Sequence, residues 1–311
     1  MNPLGGTELQ YELLYKYVDN NLLDNFLITT SVPEKIPLSL DKINILWQQN
    51  SYDQPNLTEW FSNKDNHKKY DYYVFNSHWC FEKFRMRYKI PTDRCTVIKN
   101  AVESFPEKKF ERKDKLKMIY HSTPWRGLNV LLGAMQLIKS KDVELDVYSS
   151  TQIYGDQFKS SNDDQYKKLY EQAKSLPNVN YIGYVSNDEI RKRLQNYDVF
   201  CFPSTWEETS CIAAIESLAA GLHVITTNYG ALFETCSEWP VYINYTENYK
   251  QLAQLFAFSI DEVNSYLYKG SVPAFLKSQQ QFYNQFYSWE RKKGEWTNFL
   301  QGLLHEKRSK F

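Results

Sequence analysis

Short β-rich runs alternate with helical patterns along almost the whole chain, and this rhythm restricts the possible folds most. The runs fall at 26–30, 43–48, 72–76, 95–99, 116–121, 144–149, 180–184, 199–203, 223–227 and 241–243. Helical patterns lie between many of them, at 7–20, 78–88, 127–139, 164–175, 187–197, 210–220 and 249–258. Apolar strands in such alternation imply parallel sheets covered by helices on both faces, an α/β class. With 311 residues there is room for two domains with separate cores. A solvated charge run at 106–114, Pro-Glu-Lys-Lys-Phe-Glu-Arg-Lys-Asp, separates two strand groups and reads as a linker. The expected division is 1–105, 106–275 and a helical segment 276–311. In that tail Phe282, Phe286, Trp289 and Trp296 recur near helical spacing, which suggests one buried stripe.

Composition removes several function classes. Lys plus Arg and Asp plus Glu both number 37, so no bulk attraction to nucleic acid or anionic membrane is expected. No stretch approaches the roughly 20 apolar residues of a membrane span. The opening MNPLGGTEL lacks a basic region followed by an apolar run, so no secretory signal is expected. Five cysteines without a Cys-x-x-Cys read as reduced thiols of a cytoplasmic protein. The five histidines never fall at metal-ligand spacing, and no metal or cofactor is expected.

The segment PSTWEETSCIAAIESLAAG carries the chemistry. An apolar run ends in Pro203-Ser204; Glu208 and Glu216 follow with seven residues between them, and Gly221 comes soon after. Thr209 or Ser210 can cap a helix starting near Cys211, and Gly221 can end it. The amino end of such a helix presents unpaired N–H groups and partial positive charge, suited to an anion. Ala213, Ala214, Ala219 and Ala220 keep the helix slim. Glu216 lies roughly 9 Å along the axis from the cap, too far for a glycosidase pair acting across one bond. The spacing suits a ligand laid along the helix start, with a sugar near Glu208, a diphosphate over the amides and ribose hydroxyls near Glu216. A capped surface helix with two solvated acids is the alternative for any isolated Glu-x7-Glu.

Here the chain resembles the family-4 retaining glycosyltransferases, whose motif is Pro-Ser, a few residues, then Glu-x7-Glu-Ala-x-Ala-x-Gly. Pro203, Ser204, Glu208, Glu216, Ala219 and Gly221 match; Thr209-Ser210-Cys211 stands where Gly-Phe-Gly is commoner. The resemblance implies a GT-B fold, two Rossmann-like parallel-sheet domains facing across a cleft, here with a short N-terminal domain. It also implies metal-independent retaining transfer from a UDP- or GDP-linked sugar to a glycan, lipid or protein acceptor.

Residue by residue, Trp125-Arg126-Gly127 is similar to the family's turn with a basic residue before Gly, implying that Arg126 pairs with the donor diphosphate. Only this one cation is evident where relatives usually carry two. Gly5-Gly6, before a helical pattern, looks like the loop that approaches the donor from the opposite domain. Gly183-Tyr184 resembles the turn beside the nucleotide base, and Ser149 ends a strand that would face the same ligand. On the acceptor side, Gln49 stands where relatives carry His and cannot act as acid or base; His78 follows a similar strand end. The implied roles are sugar orientation for Glu208, ribose binding for Glu216, and leaving-group stabilisation by Arg126 with the amides of Thr209, Ser210 and Cys211. Rival readings are a nucleotide-sugar epimerase and a catalytically silent scaffold that binds nucleotide-sugar.

Overall fold

The structure, a computed structural model, describes residues 5–111 and 113–308. Among the described residues there are two compact units, residues 6–103 with 285–308, and residues 5, 104–111 and 113–284.

The smaller unit begins with α1 (Gly6–Tyr17) and the single turn α2 (Asn20–Leu23), which the Asp19 carboxylate caps by accepting from Asn21 N–H. It continues through β1 (Phe26–Thr30), β2 (Ile43–Gln48), α3 (Pro55–Ser62), β3 (Tyr72–Phe75), α4 (His78–Tyr88) and β4 (Cys95–Val97). All four strands are parallel, in the order β1-β2-β3-β4. Among the described residues no strand precedes α1; Met1, Asn2, Pro3 and Leu4 lie outside them. Side chains alternate about the sheet as the pleat requires. Ile43, Ile45 and Trp47 join one apolar cluster, Leu46 the opposite one. The Ser77 hydroxyl caps α4 by accepting from Cys80 N–H, and Lys89 ends it in the left-handed conformation. Phe84 and Tyr88 are buried, so the aromatic face of α4 belongs to the core.

The larger unit holds β5 (Leu116–His121), α5 (Leu128–Leu137), β6 (Val143–Tyr148), α6 (Asp156–Asn162), α7 (Lys167–Ser175), β7 (Val179–Tyr181), α8 (Asn187–Leu194) and β8 (Val199–Phe202). After these come α9 (Ile212–Ala219), β9 (His223–Thr227), α10 (Leu232–Cys236), β10 (Val241–Ile243), α11 (Tyr249–Tyr266) and most of α12 (Val272–Phe286). The six strands are parallel in the order β10-β9-β8-β5-β6-β7. The chain winds outward from β5 to β7, returns to the far side of β5 at β8, and winds outward again. Strand order therefore reverses between β5 and β8. Both strands are deeply buried, with Met118, Ile119, Tyr120, Phe200 and Phe202 wholly inaccessible. Helices α5 and α11 pack closely, because Gly133 brings its backbone near the Ala253 methyl.

Several expectations shift. The strand expected at 180–184 is observed as Val179–Tyr181, since Gly183 at φ +81° breaks the extended run. The helix expected from 164 begins at Lys167, after a 3-10 turn over Asp163–Tyr166. The single aromatic stripe in the tail does not form. Helix α12 stops at Phe286, Ser288 bridges Val102, and α13 (Trp289–Arg308) starts afresh. Trp289 and Trp296 enter the smaller unit's core; Phe282 packs on Trp239 in the larger unit, and Phe286 is exposed.

Candidate functional site

Strand order reverses between β5 and β8, and ligands of open parallel sheets bind at the strand carboxyl ends beside such a reversal. Two loops leave the sheet there. Residues 122–127 connect β5 to α5, and residues 203–211 connect β8 to α9.

These loops are locked together by backbone contacts only glycine permits. Gly127 sits at φ +92°, and a Cβ there would lie 1.9 Å from the Pro203 carbonyl oxygen. Gly230, at φ +66°, abuts the Glu208 backbone; a Cβ would fall 2.4 Å from its carbonyl oxygen, which accepts from Ala231 N–H at 2.6 Å. Hydroxyls complete the scaffold. Thr227 Oγ1 donates to the Ser204 carbonyl at 2.8 Å and Thr205 Oγ1 to the Trp125 carbonyl at 3.2 Å.

On this frame Arg126 and Glu208 meet. Arg126 Nη1 donates to Glu208 Oε1 at 2.8 Å and Oε2 at 2.6 Å, and Ser204 Oγ donates to Oε1 at 3.3 Å. Glu208 is 2% exposed. Burial pushes its pKa above the ordinary carboxylate value, against the opposing pull of Arg126 and Ser204. Sequence reasoning assigned the two residues to sugar and diphosphate separately; the structure places them in one ion pair.

Helix α9 follows, but neither Thr209 nor Ser210 caps it. The cap position is Cys211, whose side chain makes no capping hydrogen bond. Thr209 is buried and Ser210 half-buried in the loop before it. Burial raises the Cys211 thiol far above its usual range, so the sulfur stays protonated and unreactive. At the other end Gly221, at φ +82°, follows the cap residue Ala220, and Leu222 N–H closes back on the Ser217 carbonyl, the Schellman arrangement.

Glu216 lies within α9 and accepts from Arg191 Nη1 at 3.2 Å, with side-chain exposures of 10% and 17%. Arg191 also stacks over Phe105, 4.2 Å from the ring centroid. Sequence reasoning missed Arg191, although a signal existed. It stands three residues before buried Leu194, on the inward side of α8, whereas Lys192 and Arg193 pair outward with Glu189.

Ser149 directly follows β6, which stops at Tyr148 rather than at the expected 149; its hydroxyl is buried and without a partner among the described residues, as is the hydroxyl of Thr123 in the β5–α5 loop. Unpaired buried hydroxyls at strand carboxyl ends are what a polar ligand site leaves open. Gly183 is buried and Tyr184 half-buried after β7. His121 is no acid–base group. It bonds Ser217 Oγ at 3.0 Å, and burial depresses its pKa to about 3, so it is neutral.

Gly5 is buried before α1, and Gly6 is that helix's first, exposed residue. In the smaller unit Gln49 exchanges hydrogen bonds with Asn100 at 3.0 and 2.9 Å and accepts from Asn76 at 3.1 Å. His78 is exposed at the start of α4. Among the described residues no group of three or more His, Cys, Asp or Glu side chains is placed to hold a metal, and no helix is long and apolar enough to cross a membrane.

Comparison with known proteins places this geometry. Residues 100–263 match the sequence profile of the glycosyl transferases group 1. A curated relative, an uncharacterized 41.2 kDa protein in the cps region of Klebsiella pneumoniae, is 27% identical over 183 residues, 55% of this chain; the chain spans about half of that protein's length, 46%. A glycosyltransferase from Rickettsia africae superposes with a TM-score of 0.72 at 17% identity, covering 98% of this chain and 84% of the other. Anabaena Alr3699/HepE, solved with UDP-glucose, superposes at 0.63 and 15% identity, covering 84% of this chain and 72% of the other. A sucrose-phosphate synthase from Thermosynechococcus elongatus gives 0.67 and 14%, with 91% and 74% covered. At these identities the structural likeness establishes the fold, the GT-B architecture of two parallel-sheet units. Since the matched profile spans more than half of the sequence, the chain belongs to the glycosyl transferases group 1.

Proposed function

We propose that the protein is a retaining transferase of the family-4 type, moving a sugar from a UDP- or GDP-linked donor to a glycan, lipid or protein hydroxyl. The observation that carries this reading is the convergence of Arg126, Glu208 and the amino end of α9 at the switch point between β5 and β8. Solved neighbours with UDP-glucose or UDP support the donor class. In this reading the diphosphate lies over the α9 amides and against Arg126, and the ribose hydroxyls donate to Glu216. Glu208, held by Arg126, accepts from the sugar hydroxyls. The bond from the anomeric carbon to phosphate oxygen breaks with its electron pair going to that oxygen. The acceptor oxygen bonds the same face of the carbon, and its proton passes to the departing phosphate. Arg126 and the amides stabilise the charge that grows there.

Two results are expected. Donor consumption continues in excess chelator, because the cation and amides neutralise the diphosphate and the chain has no Asp-x-Asp to present a metal to it. Loss of consumption in EDTA with recovery on adding Mn²⁺ would overturn the metal-independent assignment. Proton NMR of the product should show the donor's anomeric configuration; inversion would sink the retaining mechanism. Nucleotide binding without any donor consumption would make the chain a binding scaffold instead.

Glu216→Ala is expected to weaken nucleoside diphosphate binding by about 1.5–3 kcal/mol, the worth of a charge-assisted acceptor. Arg191→Ala should weaken it less, since that residue positions Glu216; Arg191→Lys should recover part of the loss, which a purely structural role would not give. Calorimetric titration reads both, and unchanged affinity in Glu216→Ala would remove that residue from the site.

A further inference from the structure

We propose that the larger unit carries a second saccharide site, a surface pocket beside the β5–α5 loop that binds a pyranose unit of a glycan chain. The pocket has a volume of about 480 Å³, within the range of small-molecule sites. One wall is aromatic. Half-buried Trp125 and Tyr166 have ring centroids 5.9 Å apart and planes tilted by 39°. Asn129, Gln165 and Gln172 supply carboxamides around it, and Lys168 supplies a positive charge. Among the described residues no carboxylate lines the pocket.

That composition selects the ligand class. A pyranose has one face of C–H groups, which suits an aromatic ring, and a rim of hydroxyls that both donate and accept. Carboxamides match the rim, because each offers two donors and an acceptor. A phosphate or nucleotide would call for several cations, and an amine for an acid; the described lining provides neither. Lys168 admits a carboxylate on the sugar as well. Aromatic side chains serve such recognition at low entropy cost, since they combine a flat apolar face with few rotatable bonds.

The pocket is joined to the proposed transfer site by the chain itself. Trp125 directly precedes Arg126, Thr205 directly follows Ser204, and the Thr205 hydroxyl donates to the Trp125 carbonyl at 3.2 Å. A glycan held there is tethered beside the loops that carry Arg126 and Glu208. Its role as acceptor or product rests on the transferase reading, but its binding does not require turnover.

Saturation-transfer NMR with methyl β-glucoside, methyl β-galactoside and methyl β-glucuronide tests the site on the whole protein. At least one glycoside should bind in about the millimolar range. Tyr166→Ala should weaken it tenfold or more, Gln172→Ala severalfold, and Lys168→Ala should affect the glucuronide alone. Should Tyr166→Ala fail to fold, Gln172→Ala decides, since its side chain lies on the surface of a helix that tolerates alanine. Absence of binding by all three glycosides overturns the proposal, as does binding that neither Tyr166→Ala nor Gln172→Ala alters. UDP titration of the same samples keeps the two readings apart. Glycoside binding without nucleotide binding supports the pocket and sinks the donor site; the reverse sinks the pocket alone.

Discussion

Arg126→Ala lowers turnover about a hundredfold or more and also lowers stability, by about 3–5 kcal/mol. The kinetic loss arises because charge on the departing phosphate grows as the glycosidic bond breaks, so a fixed cation gains strength in the transition state. In the proposed mechanism donor affinity falls less, because the α9 amides would still hold the ground-state diphosphate. The loss of stability has a separate origin. Glu208 is almost wholly buried, and without Arg126 its charge is left with the Ser204 hydroxyl at 3.3 Å. Burial already raises its folded pKa, and removing the guanidinium raises it further. The folded protein then binds a proton that the unfolded chain has released. Between the ordinary carboxylate value and the raised folded value, stability falls as pH rises and returns as pH falls through the folded value. The variant's melting temperature should therefore recover at mildly acid pH more than the wild type's does. Adding Glu208→Gln to Arg126→Ala should restore stability at neutral pH and leave turnover lost. Equal melting curves for wild type and Arg126→Ala would show that the pair is not buried as described. Unchanged turnover with a raised donor KM would reassign leaving-group stabilisation to another group.

Gly127→Ala is the second large effect. Its backbone is left-handed, and the added methyl would meet the Pro203 carbonyl at 1.9 Å. Backbone cannot swing aside as a side chain can, so the β5–α5 loop must move away from the end of β8. The combined strain and displacement cost about 3 kcal/mol or more. Arg126 moves with the loop, so activity falls beyond what stability alone accounts for. Gly270→Ala is the matched control, with φ +58° and no atom within 4 Å of the added methyl. It isolates conformational strain, of order 1 kcal/mol. Urea melts of the two variants read the difference. If Gly127→Ala is no worse than Gly270→Ala, the loops are not locked at Pro203.

What the sequence disclosed follows from how local each signal is. Apolar runs and helix punctuation are written within a few residues, so the strands at 199–202 and 223–227 and the helix ended by Gly221 were legible. The Cys211 cap was not, because Thr209 and Ser210 are better capping residues by type and the sheet fixes where the helix turns in. The Arg191–Glu216 pair joins side chains 25 residues apart on different helices. No local pattern announces it, beyond the facing of Arg191 with Leu194. Arg126 and Glu208 were each recognisable by motif, yet their ion pair depends on β5 and β8 being neighbours. Strand order is a tertiary choice that alternation alone leaves open. The tail misled for a related reason: helical spacing places aromatics on one face only while a helix is unbroken, and Tyr287-Ser288 breaks it.

In the proposed function a nucleoside diphosphate sugar binds the larger unit at the carboxyl ends of β5 and β8. Calorimetric titration of the protein with UDP-glucose and with a GDP-linked hexose, each against wild type and Glu216→Ala, tests it most directly. One donor should bind the wild type with one-to-one stoichiometry, and its affinity should fall by about tenfold or more in the variant. Absence of binding by both donors, or binding that Glu216→Ala leaves unchanged, would contradict the account.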